Sequence, residues 1–216
     1  MLPSGSPKFR RRKAERPDEI IASAMMVFSE KGFAAARLDD IAARAGVSKG
    51  AIYLYFATKE DIFRAVVEQG VAPNLLALQG MALQAPSFFV LARGFTQLMA
   101  GMMQTSPVGG IVKMVIAEAG NFPELARIWH DRLVAPALAA MTAAIAAGQA
   151  RGEIRPGDPR LFAVCLISPL LVGVIFRETF GPVGAEGFDL PALAAQHIET
   201  LLRGMRPDPA SGDASS

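Results

Sequence analysis

The sequence predicts an all-α protein, with an N-terminal three-helix unit followed by a helical bundle and about nine helices in total. Apolar residues recur every three to four positions, and prolines stand where helices typically start. No run of alternating apolar and polar residues predicts a β-strand. With 216 residues, 51% of them hydrophobic, the chain is long enough to bury a substantial core.

Four helices are predicted in the N-terminal third. Ile20, Ala24 and Phe28 fall on one stripe of an amphipathic helix, and Gly32 is placed to end it. Ser48 and Thr58 are typical N-cap residues for the third and fourth helices. The predicted segments are about 18–31, 38–45, 49–56 and 59–78.

The rest of the chain is predicted to be helical, with a proline near each helix start. Pro136 and Pro169 lie inside two predicted segments, where we expect a kink. The segment that begins at Pro159 is apolar nearly all round, which predicts burial on more than one side. The predicted segments are 86–104, 107–119, 123–150, 159–180 and 191–205, followed by a tail, 206–216, of disorder-prone composition.

Composition argues against several classes of protein. Mean hydropathy is +0.31, but the longest apolar stretch has 16 residues, 161–176, fewer than the roughly 20 that span a bilayer. We therefore expect no membrane span. The single cysteine, Cys165, cannot form an internal disulfide, which favours a cytoplasmic protein. The sequence lacks the common enzyme, cofactor and metal signatures, so we predict no catalytic residue, cofactor or metal.

Positive charge is concentrated near the N-terminus. Residues 1–70 carry 12 Lys and Arg against 9 Asp and Glu, whereas residues 71–216 carry 10 against 11. Residues 1–13 are expected to form a disordered basic arm. Such a run is either a solvated tail or, where a DNA-binding unit follows, an arm along the DNA backbone or in the minor groove.

Residues 37–56, RLDDIAARAGVSKGAIYLYF, predict a helix-turn-helix. Two short helices joined by a tight turn need a small residue where they approach, a glycine at the bend and an apolar anchor on the second helix. Ala42, Gly46 and Ile52 supply these at separations of four and six residues. At the start of the second helix, Ser48 and the free amides can hold a phosphate.

The stretch Gly46–Phe56, followed by Thr58-Lys59-Glu60, resembles the DNA-binding domain of TetR-type transcriptional regulators. Ile20–Phe33 is similar to the first helix of that family, so the resemblance covers about residues 14–74. It implies a double-stranded DNA operator as the partner. It also implies that Tyr53 and Tyr55 both face the DNA.

The rest of the motif supplies further candidates. Lys49–Ala51 open the second helix where its first turn would meet base edges, and Lys59 is placed to hold a phosphate. Arg37 stands where the family commonly has Thr; it cannot cap a helix but can reach a phosphate. Leu54 stands where the family often has His, and we expect it to be packed. The predicted DNA-binding residues are Arg37, Arg44, Ser48, Lys49, Gly50, Ala51, Tyr53, Tyr55 and Lys59.

The C-terminal part resembles one type of ligand domain in the same family through Val115–Ala119, Phe122–Ala126 and Gly152–Arg155. This resemblance implies that residues 80–205 bind a small effector and that the last two helices form a homodimer. Methionines suit a pliable apolar pocket, although they are also typical of an ordinary core. The predicted effector-binding residues are Met99, Met103, Met114, Asn121, Trp129, His130 and Arg177.

The sequence therefore predicts a homodimeric, DNA-binding repressor of the TetR type, released from a pseudopalindromic operator by a small apolar effector. The alternative is a helical carrier or sequestering protein whose DNA-binding domain is not functional. Salt-dependent DNA binding distinguishes the two.

Overall fold

A computed structural model describes residues 8–73, 80–81 and 85–207, with side chains from residue 17 onward. Across these residues the chain forms nine continuous helical segments and no strand, which confirms the all-α prediction. π-helical turns extend the fourth helix and join the seventh to the eighth. The helices are α1 (Lys8–Ala35), α2 (Leu38–Ala45), α3 (Lys49–Tyr53), α4 (Lys59–Ala65), α5 (Phe88–Thr105), α6 (Val108–Glu118), α7 (Pro123–Trp129), α8 (Ala135–Ala150), α9 (Pro159–Phe180) and α10 (Leu190–Met205).

The first helix starts earlier than the sequence predicts. Residues 8–13, expected to be a disordered arm, are helical, and Lys and Arg, which make up most of them, are good helix formers. Gly32 interrupts α1 with φ 79° and ψ 169°, as predicted, and one further turn follows it. Residues 1–7, the predicted end of the fourth helix near residue 78 and the tail beyond residue 207 lie outside the described residues.

The predicted N-caps Ser48 and Thr58 are confirmed, and Asp158 is a further N-cap. The Ser48 hydroxyl accepts a hydrogen bond from the Ala51 amide at 3.2 Å. Thr58 and Asp61 form a reciprocal capping box, with both hydrogen bonds at 3.0 Å. The Asp158 carboxylate accepts from the Arg160 amide at 2.8 Å at the start of α9.

The two internal prolines are accommodated differently. The π-helical turn His130–Val134 ends two residues before Pro136, so the helical register changes close to the point where the proline removes a backbone donor. Pro169 lies inside α9, which continues as one helix.

The buried core is shared between the N-terminal and C-terminal helices. In the first cluster, the rings of Phe28, Phe33 and Phe63 lie 5.5–6.2 Å apart, centroid to centroid. Ile111 from α6 and Leu125 from α7 belong to the same cluster and are fully buried. Two further clusters fill the C-terminal helices. The N-terminal helices are therefore packed directly onto α6 and α7.

Helix length does not exclude a membrane span, contrary to the argument from the apolar stretch. Two described helical segments, Pro123–Ala150 and Pro159–Val183, are long and apolar enough to cross a bilayer by length and composition alone. The apolar stretch 161–176 is shorter than the helix that contains it, because the helix continues through polar residues at its ends. Both segments also contribute fully buried residues to the protein core, including Ile145 and Leu166.

Candidate nucleic-acid interface

The turn between α2 and α3 sets the direction of the second helix. Gly46 ends α2 in the left-handed conformation, φ 65° and ψ 32°, which glycine adopts without steric cost. Ala42 and Ile52 are buried on either side of this turn and anchor the two helices to the N-terminal core. The first turn of α3 consequently projects from the protein, with Ser48, Lys49 and Gly50 all exposed.

Two of the predicted DNA-binding cations form ion pairs within the chain. The Lys49 ammonium lies 2.9 Å from a carboxylate oxygen of Asp39, and the Arg44 guanidinium lies 2.8 Å from Glu30. The hydrogen bond from Lys49 to Asp39 raises the pKa of Lys49, and that from Arg44 to Glu30 raises the pKa of Arg44. Both cations are therefore charged at neutral pH, and both pairs are exposed enough for a phosphate to replace the carboxylate.

Arg37 precedes α2 and is exposed. Its side chain makes no cap hydrogen bond, and the Asp40 carboxylate accepts a hydrogen bond from the Arg37 amide at 3.2 Å. The same carboxylate lies 2.8 Å from the Lys31 ammonium. The hydrogen bond from Lys31, followed by that from the Arg37 amide, lowers the pKa of Asp40. The Arg37 guanidinium is thus not required to stabilise the helix start.

The structure separates the two tyrosines and corrects one expectation. Tyr53 is 54% exposed at the end of α3, whereas Tyr55 is half-buried against the N-terminal core. Leu54, expected to be packed, is 77% exposed. Ile52 and Phe56 take the inward positions four residues apart, so Leu54 between them faces away from the core.

Lys59 has partners that the sequence does not reveal. Its ammonium donates hydrogen bonds to the carbonyl oxygens of Phe33 at 2.6 Å, Ala36 at 3.1 Å and Ala34 at 3.5 Å. These carbonyls belong to the last turn of α1, after Gly32, and to the residue that follows it. A contact between Lys59 and a DNA phosphate stays a prediction, and in this structure the side chain holds these residues in place.

The predicted effector-binding residues do not line one site. Met103 is buried with Met99 beside it, and Arg177 donates to the Met103 carbonyl oxygen at 2.8 Å. Met114 and Trp129 belong instead to the first core cluster, the one that contains Phe28, Phe33 and Phe63. The remaining two, Asn121 and His130, lie on the surface. Side-chain chemistry alone predicts these seven residues, and the packing of α5–α9 distributes them over three places.

A group of residues through which α6 and α7 contact the N-terminal helices could not be predicted from the sequence. The Glu118 carboxylate accepts hydrogen bonds from the amides of Phe33 and Ala34, and the ring of Phe122 lies 5.2 Å from that of Phe33. Glu124 lies 3.5 Å from the Arg64 guanidinium of α4. All three fall in the stretches that resemble a family ligand domain, but no local pattern shows that they face the N-terminal helices.

This fold and this exposed α3 define a helix-turn-helix DNA-binding regulator. The family model for bacterial regulatory proteins of the tetR family matches residues 20–66. The model for the tetracyclin repressor-like C-terminal domain matches residues 91–189. Together the two matches cover about two thirds of the chain, and the chain belongs to the TetR family of transcriptional regulators.

Individual relatives agree with this assignment. The HTH-type transcriptional repressor BepR of Brucella suis is 27% identical over 206 residues, covering 91% of this chain and 96% of BepR. The uncharacterized HTH-type transcriptional regulator YfiR of Bacillus subtilis is 37% identical over 78 residues, 36% of this chain, and the match spans 38% of YfiR. The structure of the regulator FadR of Bacillus subtilis in complex with stearoyl-CoA has a TM-score of 0.68 and 21% identity, covering 88% of this chain and 99% of FadR. At 21% identity, the similarity to FadR shows a shared fold alone.

Proposed function

We propose that this protein is a cytoplasmic, homodimeric repressor that binds a pseudopalindromic operator and is released from it by a small apolar effector. Residues 14–74 would bind DNA and residues 80–205 would bind the effector and form the dimer. The observation that carries the proposal is the exposed first turn of α3, held outward by the buried Ile52. The repressor BepR, similar over most of this chain, supports the direction of regulation.

The DNA contacts follow from what each exposed group offers. The N-terminus of α3 at Ser48 would hold a phosphate, and Lys49 would exchange Asp39 for a second one. Gly50 and Ala51 would let the helix approach base edges closely, with Ala51 offering a methyl contact to thymine. The Tyr53 hydroxyl would reach a phosphate or a base. Arg37, Arg44, Tyr55 and Lys59 complete the proposed set.

The exposed face of α9 supports a homodimer. Leu161, Val164, Cys165 and Val172 fall on one side of this helix and are all exposed in the single chain. Within the most apolar 18-residue stretch of Pro159–Val183, only 28% is buried within the chain. A second copy packed on this face would cover the stripe by a symmetric contact. The two copies of α3 would then meet successive major grooves, about 34–36 Å apart.

The effector would bind among the C-terminal helices and favour a different separation of the two α3 helices. Because the two binding equilibria are linked, the effector would weaken DNA binding and DNA would weaken effector binding by the same factor. Stearoyl-CoA is the first probe to use, because FadR of Bacillus subtilis, with the same fold, was solved in complex with it.

The test starts from duplexes that the purified protein selects from a random-sequence DNA library. Lys49→Ala combined with Tyr53→Ala should weaken binding to the selected duplex by about a hundredfold, because charged and base-edge contacts are both lost. Arg127→Ala, which removes one exposed charge on α7 and outside the helix-turn-helix, should leave binding within about twofold of the parent.

Two results would contradict the proposal. If the double variant binds as tightly as the parent, α3 is not the DNA-reading helix. If the parent selects no DNA at any salt concentration yet retains a small molecule, the protein is a carrier.

A further inference from the structure

The short segment 33–36, which is the last turn of α1 after Gly32 and the residue that follows it, is held from two sides. Gly32 breaks the helix in a backbone conformation that is essentially restricted to glycine. The Glu118 carboxylate accepts from the Phe33 amide at 2.9 Å and from the Ala34 amide at 2.8 Å, one with each oxygen. Lys59 binds the carbonyl oxygens of the same two residues. The amides of this segment are therefore bound by the C-terminal helices and its carbonyls by α4.

Glycine at position 32 makes the contact with Glu118 possible. A Cβ atom there would collide with the Glu118 carboxylate oxygen Oε1. The backbone conformation and the close approach thus both depend on the missing side chain. This is a specific fit between two parts of the chain that are 85 residues apart.

Helix α6 connects this contact to the proposed dimer helix. Glu118 is its last residue, and at its other end Gly109 packs so closely on α9 that a Cβ would lie 2.7 Å from an Arg177 nitrogen and 3.0 Å from Val174. Between these ends, Gly110 lies directly against Ser29 of α1. A helix of 11 residues therefore runs from α9 to the entry of the helix-turn-helix.

We propose that Glu118 is the positioning residue that fixes the angle between the helix-turn-helix and the dimer helices, and hence the distance between the two operator half-sites. This inference rests on the proposed homodimeric DNA-binding function. A carboxylate bound to two amides resists displacement more than a single ion pair at the surface does. Glu124, which reaches Arg64 at 3.5 Å with both side chains 40% exposed, provides the matched control across the same junction.

The experiment measures tolerance to half-site spacing. Duplexes selected by the parent protein are remade with one base pair inserted or deleted between the half-sites, and a single half-site is prepared as a reference. One base pair shifts the second site by about 3.4 Å and a tenth of a turn. The parent should therefore lose about tenfold or more in affinity when the spacing changes.

Glu118→Gln should bind the selected duplex about tenfold more weakly and should lose most of the preference for the selected spacing. Its affinity for the single half-site should stay within about twofold of the parent, because the DNA-reading surface is unchanged. Glu124→Gln should keep the spacing preference of the parent. Hydrogen exchange at the Phe33 and Ala34 amides should accelerate in Glu118→Gln and not in Glu124→Gln.

The spacing preference is a ratio measured on one preparation, so partial unfolding of a variant does not alter it. An unchanged spacing preference in Glu118→Gln would overturn the inference. An equal loss of affinity on every duplex, single half-site included, would also overturn it, since Glu118 would then act only on the integrity of the DNA-binding unit. If the parent selects no duplex, the proposed function fails before any variant is made, and this inference fails with it.

Discussion

Lys59 and Phe33 are joined twice: the Lys59 ammonium donates a hydrogen bond to the Phe33 carbonyl oxygen at 2.6 Å and lies 4.4 Å from the centre of the Phe33 ring. The ring itself is fully buried in the N-terminal core. The ammonium thus stabilises the entry to the helix-turn-helix through a charged hydrogen bond and a cation–π contact.

Lys59→Met should lower the free energy of unfolding by about 1–3 kcal/mol, because three carbonyls lose a charged donor. Urea denaturation measures the change. Lys31→Met is the control, since Lys31 makes an exposed ion pair with Asp40, and it should cost about 1 kcal/mol or less. An unfolding free energy unaffected by Lys59→Met would show that the carbonyl contacts contribute nothing.

Gly32→Ala should destabilise the protein by about 2–4 kcal/mol, because alanine is strained at φ 79° and ψ 169° and its Cβ collides with Glu118. Gly46→Ala gives the cost of a Cβ in the left-handed conformation without a collision. Gly46 also has a positive φ, but a Cβ there meets no atom within 4 Å, so the expected cost is about 1–2 kcal/mol. Thermal or urea denaturation compares the two variants. An equal or smaller loss for Gly32→Ala would contradict the close fit with Glu118.

Val172→Arg should convert the proposed dimer to a monomer, because Val172 is 63% exposed in the middle of the apolar face of α9 and a guanidinium there would be desolvated by a partner. Sedimentation equilibrium measures the mass. Ile116→Arg is the control, since Ile116 is 61% exposed on α6, and it should leave the dimer intact. A dimer that survives Val172→Arg would place the interface elsewhere.

Asp40→Asn should lose less stability than the parent protein when the pH is lowered into the acid range. The pKa of Asp40 is lowered in the folded protein, so its carboxylate contributes stability above its ordinary value of 3.8, and this stability is lost as the pH falls through the folded value. Melting temperatures of the parent and variant between about pH 2 and 6 make the comparison. A variant that loses stability in acid as steeply as the parent would exclude this contribution.

The sequence predicted the features that depend on near neighbours. Ser48 and Thr58 cap helices because a side-chain oxygen reaches an amide three residues away, and the spacing of Ala42, Gly46 and Ile52 is a local requirement of the turn.

The sequence could not predict features that depend on distant contacts. The partners of Glu118 lie 84 and 85 residues away, so no local spacing reveals them. Leu54 was expected to be packed because it is apolar, yet its position between two inward residues decides its exposure. The sequence predicts only a phosphate contact for Lys59, because its carbonyl partners lie 23–26 residues earlier and no local spacing reveals them.

The central claim, that α3 binds DNA in a dimer, is tested most directly by the salt dependence of operator binding. The logarithm of the binding constant should fall linearly with the logarithm of the salt concentration, and Lys49→Ala should reduce the slope by about 2, one phosphate for each subunit. Arg127→Ala should leave the slope unchanged. A slope that Lys49→Ala does not alter, together with unchanged affinity, would contradict the claim.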